Sequence, residues 1–172
     1  MAARLISAIL AIAGVAGCSQ SGMTLPTGSA QAASQFVRLA RPAPPLRYFS
    51  TPTQGAWPDY IVSGPQHALW FSEFYTDKIG RVTTNGQITE FSLPDNNDIE
   101  GIAAGPDGNI WFTEPGANQI GRMTPTGHVT SFAINGPNPS PRGITSGPDG
   151  NIWYVEFYDS YIGRVTPSGT IT

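Results

Sequence analysis

Gly105-Pro-Asp-Gly-Asn-Ile-Trp-Phe-Thr-Glu114 decides the fold of this chain of 172 residues, because close copies of it stand at Gly64–Glu73 and Gly147–Glu156. Each copy is followed by Ile-Gly-Arg-Val/Met-Thr, then by a Gly-containing turn and a short apolar run. A period of about 40 residues that combines short strands with Gly-rich turns is typical of the blades of a β-propeller. Residues that recur in every copy are therefore scaffold, and function is expected where the copies differ.

Each repeat is predicted to form four short strands. The Trp of the motif and its neighbours alternate in the manner of a pleated strand, and the Pro-Asp-Gly-Asn segment supplies a hairpin turn. No part of the repeat region shows a helical apolar stripe. The fold class is therefore all-β, a β-propeller of four-stranded blades, and the Trp residues are expected to form the core between blades.

The repeats divide the propeller region, 46–172, into one lone strand and three blades. Leu46–Pro52 aligns with Ile88–Pro94, so 46–56 is predicted as a lone fourth strand with its loop, of the kind that closes propeller rings. The remaining boundaries place blade 1 at 57–97, blade 2 at 98–139 and an incomplete blade 3 at 140–172. Propellers have roughly four to eight blades, so about three blades leave open faces that favour marginal stability or self-association.

The composition narrows the class of partner. Charged residues make up 12% of the chain, the net charge is −3, and the nine Lys and Arg residues are scattered. Without a basic stripe, a nucleic-acid partner is not expected. The chain has one cysteine, so no disulfide can form within it.

The first residues have the pattern of an export signal. A basic start and a short apolar run are followed by Val15-Ala-Gly-Cys18, which resembles a bacterial lipobox. Residues 1–17 are therefore predicted to be a signal peptide, and Cys18 to be the lipidated residue of an exported envelope lipoprotein held at the membrane by its lipid alone. An ordinary signal peptide with Cys18 incidental is the alternative.

Residues 18–45 are predicted to be a flexible tether. They are rich in Ser, Gly, Ala, Thr, Gln and Pro and poor in aromatic residues, so they cannot bury much apolar area. A short strand at Phe36–Leu39 is the alternative.

The repeats closely resemble those of the virginiamycin B lyase family, also called streptogramin lyases, over about 46–172. The resemblance implies a seven-bladed propeller and lyases that open the ester of cyclic B-type streptogramins by elimination, with magnesium assistance. In that family the catalytic histidines lie in a Pro-His-Ala/Gly-Ile turn of later blades. The matching positions here are Asp59, Glu100 and Arg142, whereas His67 and His128 fall in hairpin turns. No catalytic residue is carried over, and magnesium is implied by the resemblance alone.

The positions that break the repeat are the candidates for binding. Equivalent residues of successive blades stand side by side on one rim of the channel, and here they are Asp59, Glu100 and Arg142, with Tyr60 adding an aromatic ring. A small cyclic peptide or another envelope ligand would suit this rim. A solvated rim without a ligand is the alternative.

Two further sets of residues recur. A glutamate ends the Trp-containing strand of every blade, at Glu73, Glu114 and Glu156. A structural role is therefore expected for it. It would either tie a loop or pair with the arginine of its own blade, which is Arg81, Arg122 or Arg164. The aromatic loops Phe74–Asp77 and Phe157–Ser160 would stack on a sugar or peptide ring, or pack on an adjacent blade.

Two classes of function therefore stay open. One is an exported carbon-oxygen lyase of the streptogramin type whose catalytic blades lie beyond Thr172. The other is a non-catalytic propeller that binds an envelope ligand or scaffolds a complex.

Overall fold

A computed structural model describes residues 45–94 and 98–172 of the chain. All the strands given below lie within 47–172, one of the two units into which the chain divides. The predicted signal peptide, Cys18 and the tether up to residue 44 lie outside the described residues. In the part of the chain that is described, no helix is both long and apolar enough to cross a membrane.

Three antiparallel sheets follow one another along the chain, as the repeat predicts. The first is β1–β2–β3–β4, the second β5–β6–β7–β8 and the third β9–β10–β11, each with neighbouring strands paired in chain order. The strands are Pro58–Gly64 (β1), Ala68–Glu73 (β2), Lys78–Thr83 (β3), Ile88–Ser92 (β4), Ile102–Ala104 (β5), Ile110–Glu114 (β6), Gln119–Met123 (β7), Val129–Ala133 (β8), Pro141–Ser146 (β9), Ile152–Glu156 (β10) and Tyr161–Val165 (β11). Two 3-10 turns occupy Pro65–His67 and Pro115–Ala117.

The third sheet carries only the beginning of a fourth strand. Val165 forms an isolated bridge with Ile171. Arg164 and Thr172 exchange backbone hydrogen bonds of 3.0 and 2.8 Å. The antiparallel pairing of a fourth strand is therefore already established at residues 171–172.

The segment before blade 1 differs from the prediction in its hydrogen bonding. Residues 45–51 form no strand, since a strand needs a paired neighbour and none lies beside them in the described chain. Phe49 nevertheless lies over Gly86 in the β3–β4 turn, as Phe91 lies over Gly127 and Phe132 over Gly169. The segment thus occupies the place of an outer strand from a preceding blade.

Aromatic stacks built on a buried Trp stabilise blades 1 and 2. Trp70 stacks on Phe91 with ring centroids 5.6 Å apart, and Arg81 lies 5.7 Å from each ring. In blade 2 the rings of Trp111 and Phe132 are also 5.6 Å apart, beneath an arginine at the matching position. Trp70 and Trp111 are fully buried, which confirms the expected core role for these two.

The core lies between successive blades. One apolar cluster joins the face of blade 1 that carries Trp70 to the face of blade 2 that carries Phe112. A second cluster joins the Trp111 face of blade 2 to the Tyr154 face of blade 3. The two outer faces have no such partner among the described residues: Ile61 is exposed on blade 1, and Ile162, at 71%, on blade 3.

Candidate binding face

In each blade, a residue with positive φ, in the left-handed region of the Ramachandran plot, precedes the first strand. We call this residue the entrance of the blade. Trp57, Asp98 and Ser140 occupy matching positions with φ of 51°, 54° and 41°. Asp tolerates this conformation, whereas a bulky side chain does so at a cost. Trp57 is thus the unusual member, and the sequence signal for it is a Trp where the other copies have Asp and Ser.

Side chains of one blade fix the entrance of the next. The backbone N–H of Asp98 donates to Asp77 Oδ1 at 3.0 Å, and that of Ser140 donates to Asn118 Oδ1 at 2.9 Å. Since Asp77 and Asn118 lie at the end of the β2–β3 and β6–β7 loops, each loop ties its blade to the following one. The entrances and these loops therefore share one face of the propeller, which we call the binding face.

Glu100 and Arg142, predicted to be neighbours, form an ion pair across two blades. Arg142 Nη1 lies 3.1 Å from Glu100 Oε2 and 3.2 Å from Oε1. The Arg142 guanidinium also lies 4.5 Å from the ring centroid of Phe157. Glu100 is mostly buried and Arg142 less so. The two equivalent positions are therefore neighbours, and their place on the rim of a channel stays a prediction.

A threonine brings the two backbones close enough for this ion pair. Thr113 Oγ1 donates to the Arg142 carbonyl oxygen at 2.8 Å and accepts from the Gly101 N–H at 2.8 Å. A Cβ on Gly101 would collide with the same carbonyl oxygen. Close approach of the blades explains glycine at this position.

Asp59 and Tyr60 are exposed, but the structure places them beside a different feature. Together with Phe71 and residues 47–49 they line a groove of about 490 Å³ on the outer face of blade 1. The Tyr60 N–H donates to Ser72 Oγ at 3.2 Å. No hydrogen bond or ion pair within the described residues joins these two side chains to Glu100 or Arg142. The four predicted rim residues therefore form one linked pair and two residues at the groove.

Exposed aromatic side chains flank the ion pair along the binding face. In blade 1, Trp57 and Tyr75 meet edge to face with centroids 5.2 Å apart, and Phe74 meets Tyr75 at 5.0 Å. In blade 3, Phe157 and Tyr158 meet at 5.0 Å. These loops do not pack on an adjacent blade in the manner of the buried tryptophans, because most of their rings remain exposed.

Comparison with known proteins decides the family. The model of the Virginiamycin B lyase family matches residues 30–172. The chain belongs to the virginiamycin B lyase family.

Solved structures agree with this family membership. Virginiamycin B lyase from Staphylococcus aureus is 41% identical, with a TM-score of 0.70 over 72% of this chain and 43% of that one. A catalytically inactive form of the same enzyme with quinupristin is 39% identical, with a TM-score of 0.70 over 73% and 43% of the two chains. A streptogramin B lyase structure is 40% identical, with a TM-score of 0.67 over 72% and 42%. A search of curated proteins found no match.

This chain spans less than half the length of these virginiamycin B lyases. The comparisons confirm the predicted family, and with it the β-propeller to which the three sheets belong. The activity, substrates and partners of the whole protein are taken up below as proposals.

Of the recurring glutamates, Glu73 ties a loop, which is one of the two predicted roles, whereas Glu114 accepts a hydrogen bond from Ser131 Oγ of β8 at 3.0 Å. Glu73 is fully buried, and its Oε2 accepts from Thr76 Oγ1 in the β2–β3 loop at 3.0 Å. Its cross-strand partner is Lys78, whereas Arg81 lies opposite Trp70. The predicted pairing of Glu73 with Arg81 is therefore wrong, because the register places the guanidinium over the Trp ring.

The described blades do not assemble a site for the magnesium ion that the family implies. Burial is the largest influence on the Glu73 carboxyl and raises its pKa. Its buried Oε1 has no hydrogen-bond partner among the described residues. However, no group of three or more His, Cys, Asp or Glu side chains within 45–94 and 98–172 is arranged to hold a metal. The donor set of a carboxylate-rich magnesium site is therefore not met here.

Proposed function

We propose that this protein is an exported, lipid-anchored member of the virginiamycin B lyase family whose three described blades bind a ligand without supplying the base for ester opening. Cys18 is the residue proposed to carry the lipid. The ligand proposed is a small cyclic peptide of the streptogramin B class, by analogy with the relative solved with quinupristin.

The Glu100–Arg142 ion pair carries this proposal. These residues stand where the family resemblance places its catalytic turn, at the entrance of the first strand of each blade. Elimination needs a base that removes a proton next to a carbonyl. A guanidinium stays protonated in proteins and cannot act as that base. Both oxygens of Glu100 face Arg142 Nη1, so proton removal by Glu100 would first break the ion pair.

The surroundings of the ion pair favour binding. The rings of Phe157 and Tyr158 flank Arg142, and Trp57 and Tyr75 stand two blades away on the same face. Exposed aromatic rings with a few polar groups that fix orientation are common features of ligand sites. A non-catalytic envelope propeller, the alternative, would use the same surface for another ligand.

Incubation of the purified protein with quinupristin tests both parts of the proposal. Equilibrium dialysis measures binding, and liquid chromatography with mass spectrometry measures ring opening. Elimination would give a new peak of unchanged mass, whereas hydrolysis would add one water. We expect saturable binding that the Arg142→Glu variant weakens, and no ring opening. Linearised quinupristin formed by the wild-type chain, with a catalytically dead relative as the blank, would overturn the assignment.

The lipid anchor has its own test. We expect the wild-type protein in the membrane fraction of its host, with an N-terminal peptide that begins at Cys18 and is heavier than its unmodified form by the acyl groups. The Cys18→Ser variant should lose both properties. A wild-type protein cut at another position and free of lipid would contradict the anchor and leave the binding proposal standing.

A further inference from the structure

We propose that Trp57, Phe74 and Tyr75 form a site for the guanidinium group of a ligand. The basis is an internal comparison: Phe157 and Tyr158 of blade 3 are arranged like Phe74 and Tyr75, and there the protein's own Arg142 supplies the cation. This site does not require that the protein bind a streptogramin, and it involves neither member of the Glu100–Arg142 pair.

The two blades present the same backbone frame. The Phe74 N–H donates to the Trp57 carbonyl oxygen at 3.2 Å, and the Phe157 N–H donates to that of Ser140, also at 3.2 Å. The following ring is placed alike in both: Phe74 and Tyr75 meet at 5.0 Å and 86°, and their counterparts in blade 3 at 5.0 Å and 80°. Phe74 therefore stands where Phe157 stands.

The cation is where the two blades differ. Arg142 lies over Phe157 and pairs with a carboxylate of the preceding blade. The matching position in blade 1 is Asp59, an exposed carboxylate. Within residues 45–94 and 98–172, the cations that lie over rings are Arg81, Arg122, Arg142 and Arg164, and none of them covers Phe74 or Tyr75. Blade 1 thus keeps the aromatic surface and replaces the cation with an anion.

Trp57 adds a third ring at a conformational cost. Its plane is perpendicular to that of Tyr75, at 89°, so the two rings form a corner. Trp57 is 65% exposed and Tyr75 64% exposed. The φ of 51° at Trp57 is strained for a bulky residue. A large ring that is exposed, on a strained backbone, favours a role in binding.

The chemistry of the site suits a guanidinium group. Aromatic faces attract cations, and a planar guanidinium stacks on them better than a compact ammonium does. Asp59 holds the position of Arg142, and a carboxylate accepts two parallel hydrogen bonds from a guanidinium. A ligand that presents an arginine-like terminus would therefore make with Phe74 the ring contact that Arg142 makes with Phe157.

Two matched peptides test the site. Acetyl-Gly-Arg-Gly-amide carries the guanidinium, and the same peptide with citrulline is its planar, neutral counterpart. Binding is followed by the amide chemical shifts of Phe74 and Tyr75 in a titration of the purified protein. We expect saturable shifts with the arginine peptide and at least about tenfold weaker binding of the citrulline peptide, or about 1.4 kcal/mol. Equal responses to the two peptides would overturn the site.

Three variants separate binding from folding. Asp59→Arg places a cation where blade 3 has one and should abolish binding, while the exposed position leaves the fold intact. Trp57→Asn puts a residue that tolerates positive φ at this position, so it should weaken binding while stability is kept or raised. Tyr161→Leu removes an exposed ring of blade 3 at the start of β11 and should leave peptide binding unchanged. Retained binding by Asp59→Arg, or loss of binding by Tyr161→Leu alone, would contradict the assignment.

Discussion

Phe49 lies directly over Gly86, with its ring filling the space that a Cβ on the glycine would need. The same relation joins Phe91 to Gly127 in the next blade. A residue that precedes the first complete blade thus makes the contact that elsewhere comes from an outer strand. The 42-residue alignment of Leu46–Pro52 with Ile88–Pro94 is therefore reflected in side-chain packing, although the N-terminal segment lacks strand hydrogen bonds.

Gly121→Ala is expected to destabilise blade 2 by about 1–3 kcal/mol, because overpacking forces side chains and backbone to shift. A Cβ at this position would meet the ring of Phe112, which is fully buried and has little room to move. Denaturant unfolding followed by fluorescence measures the change. Gly143→Ala is the control, since its Cβ would lie at an ordinary 3.4 Å from Val155. Equal loss in both variants would show that the ring contact is not the cause.

Arg122→Met should lower the free energy of unfolding by about 2 kcal/mol through loss of a cation–π contact and a hydrogen bond. The guanidinium lies 5.6 Å from Trp111 and 5.4 Å from Phe132, and Nη1 donates to the Pro167 carbonyl oxygen at 2.6 Å. Arg164→Met should cost less, because its ring partner Trp153 is less buried than Trp111. Thermal and denaturant unfolding of both variants measure the difference, and a larger effect at Arg164 would contradict it.

Glu73→Gln should stabilise the protein more near pH 7 than near pH 4. Burial raises the pKa of Glu73 above its ordinary value of 4.5. A raised folded-state pKa gives stability that is fully present below the unfolded pKa and is lost as pH rises through the folded pKa. Removal of the ionisable group therefore helps most where Glu73 would be charged. Melting temperatures across this pH range check the trend.

Glu90→Gln is the control, because the pKa of Glu90 is shifted in the opposite direction to that of Glu73. Burial alone would raise the pKa of Glu90, but hydrogen bonds from Thr53 and Lys78 outweigh it and hold this pKa below 4.5. Its stabilising contribution is present above the unfolded pKa and is lost as pH falls through the folded pKa. The substitution should thus destabilise near pH 7 and do so less as the solution becomes acidic. The same pH dependence of stability in the Glu73 and Glu90 variants would contradict these opposite pKa shifts.

Ile162→Lys is expected to reduce self-association. Ile162 is 71% exposed on the outer face of blade 3, and Val155 is exposed beside it. Apolar sheet faces without a partner favour association. Sedimentation velocity over a concentration series should show oligomers for the wild type and fewer for the variant. Tyr158→Leu, on the binding face, should leave the distribution unchanged, and a monomeric wild type would contradict the prediction.

Much of the fold could be predicted from the sequence because identical residues recur at identical register. The Gly-containing turns and the sheet order follow from the period, whereas the place of the arginines over the Trp and Phe rings was not predicted. The pairing of Glu73 with Arg81 failed because spacing along the chain does not reveal which residues lie opposite one another.

The candidate site was predictable only in part. Glu100 and Arg142 meet because equivalent positions of adjacent blades are neighbours. Trp57 was missed, since its significance rests on the positive φ and exposure that three-dimensional structure supplies. Asp59 was predicted to lie beside Glu100 and Arg142. The structure places it at the groove on the outer face of blade 1.

The contact of a Phe ring with a turn glycine determines where the protein unfolds first. Each such contact joins a blade only to the blade that follows it. The free energy of unfolding is then approximately a sum of the stability of each blade and of the interface between neighbouring blades. A lesion at Gly127 would loosen the junction of blades 1 and 2 while the junction at Gly169 stays closed. Hydrogen exchange would then be faster at the junction of blades 1 and 2 than at the junction of blades 2 and 3.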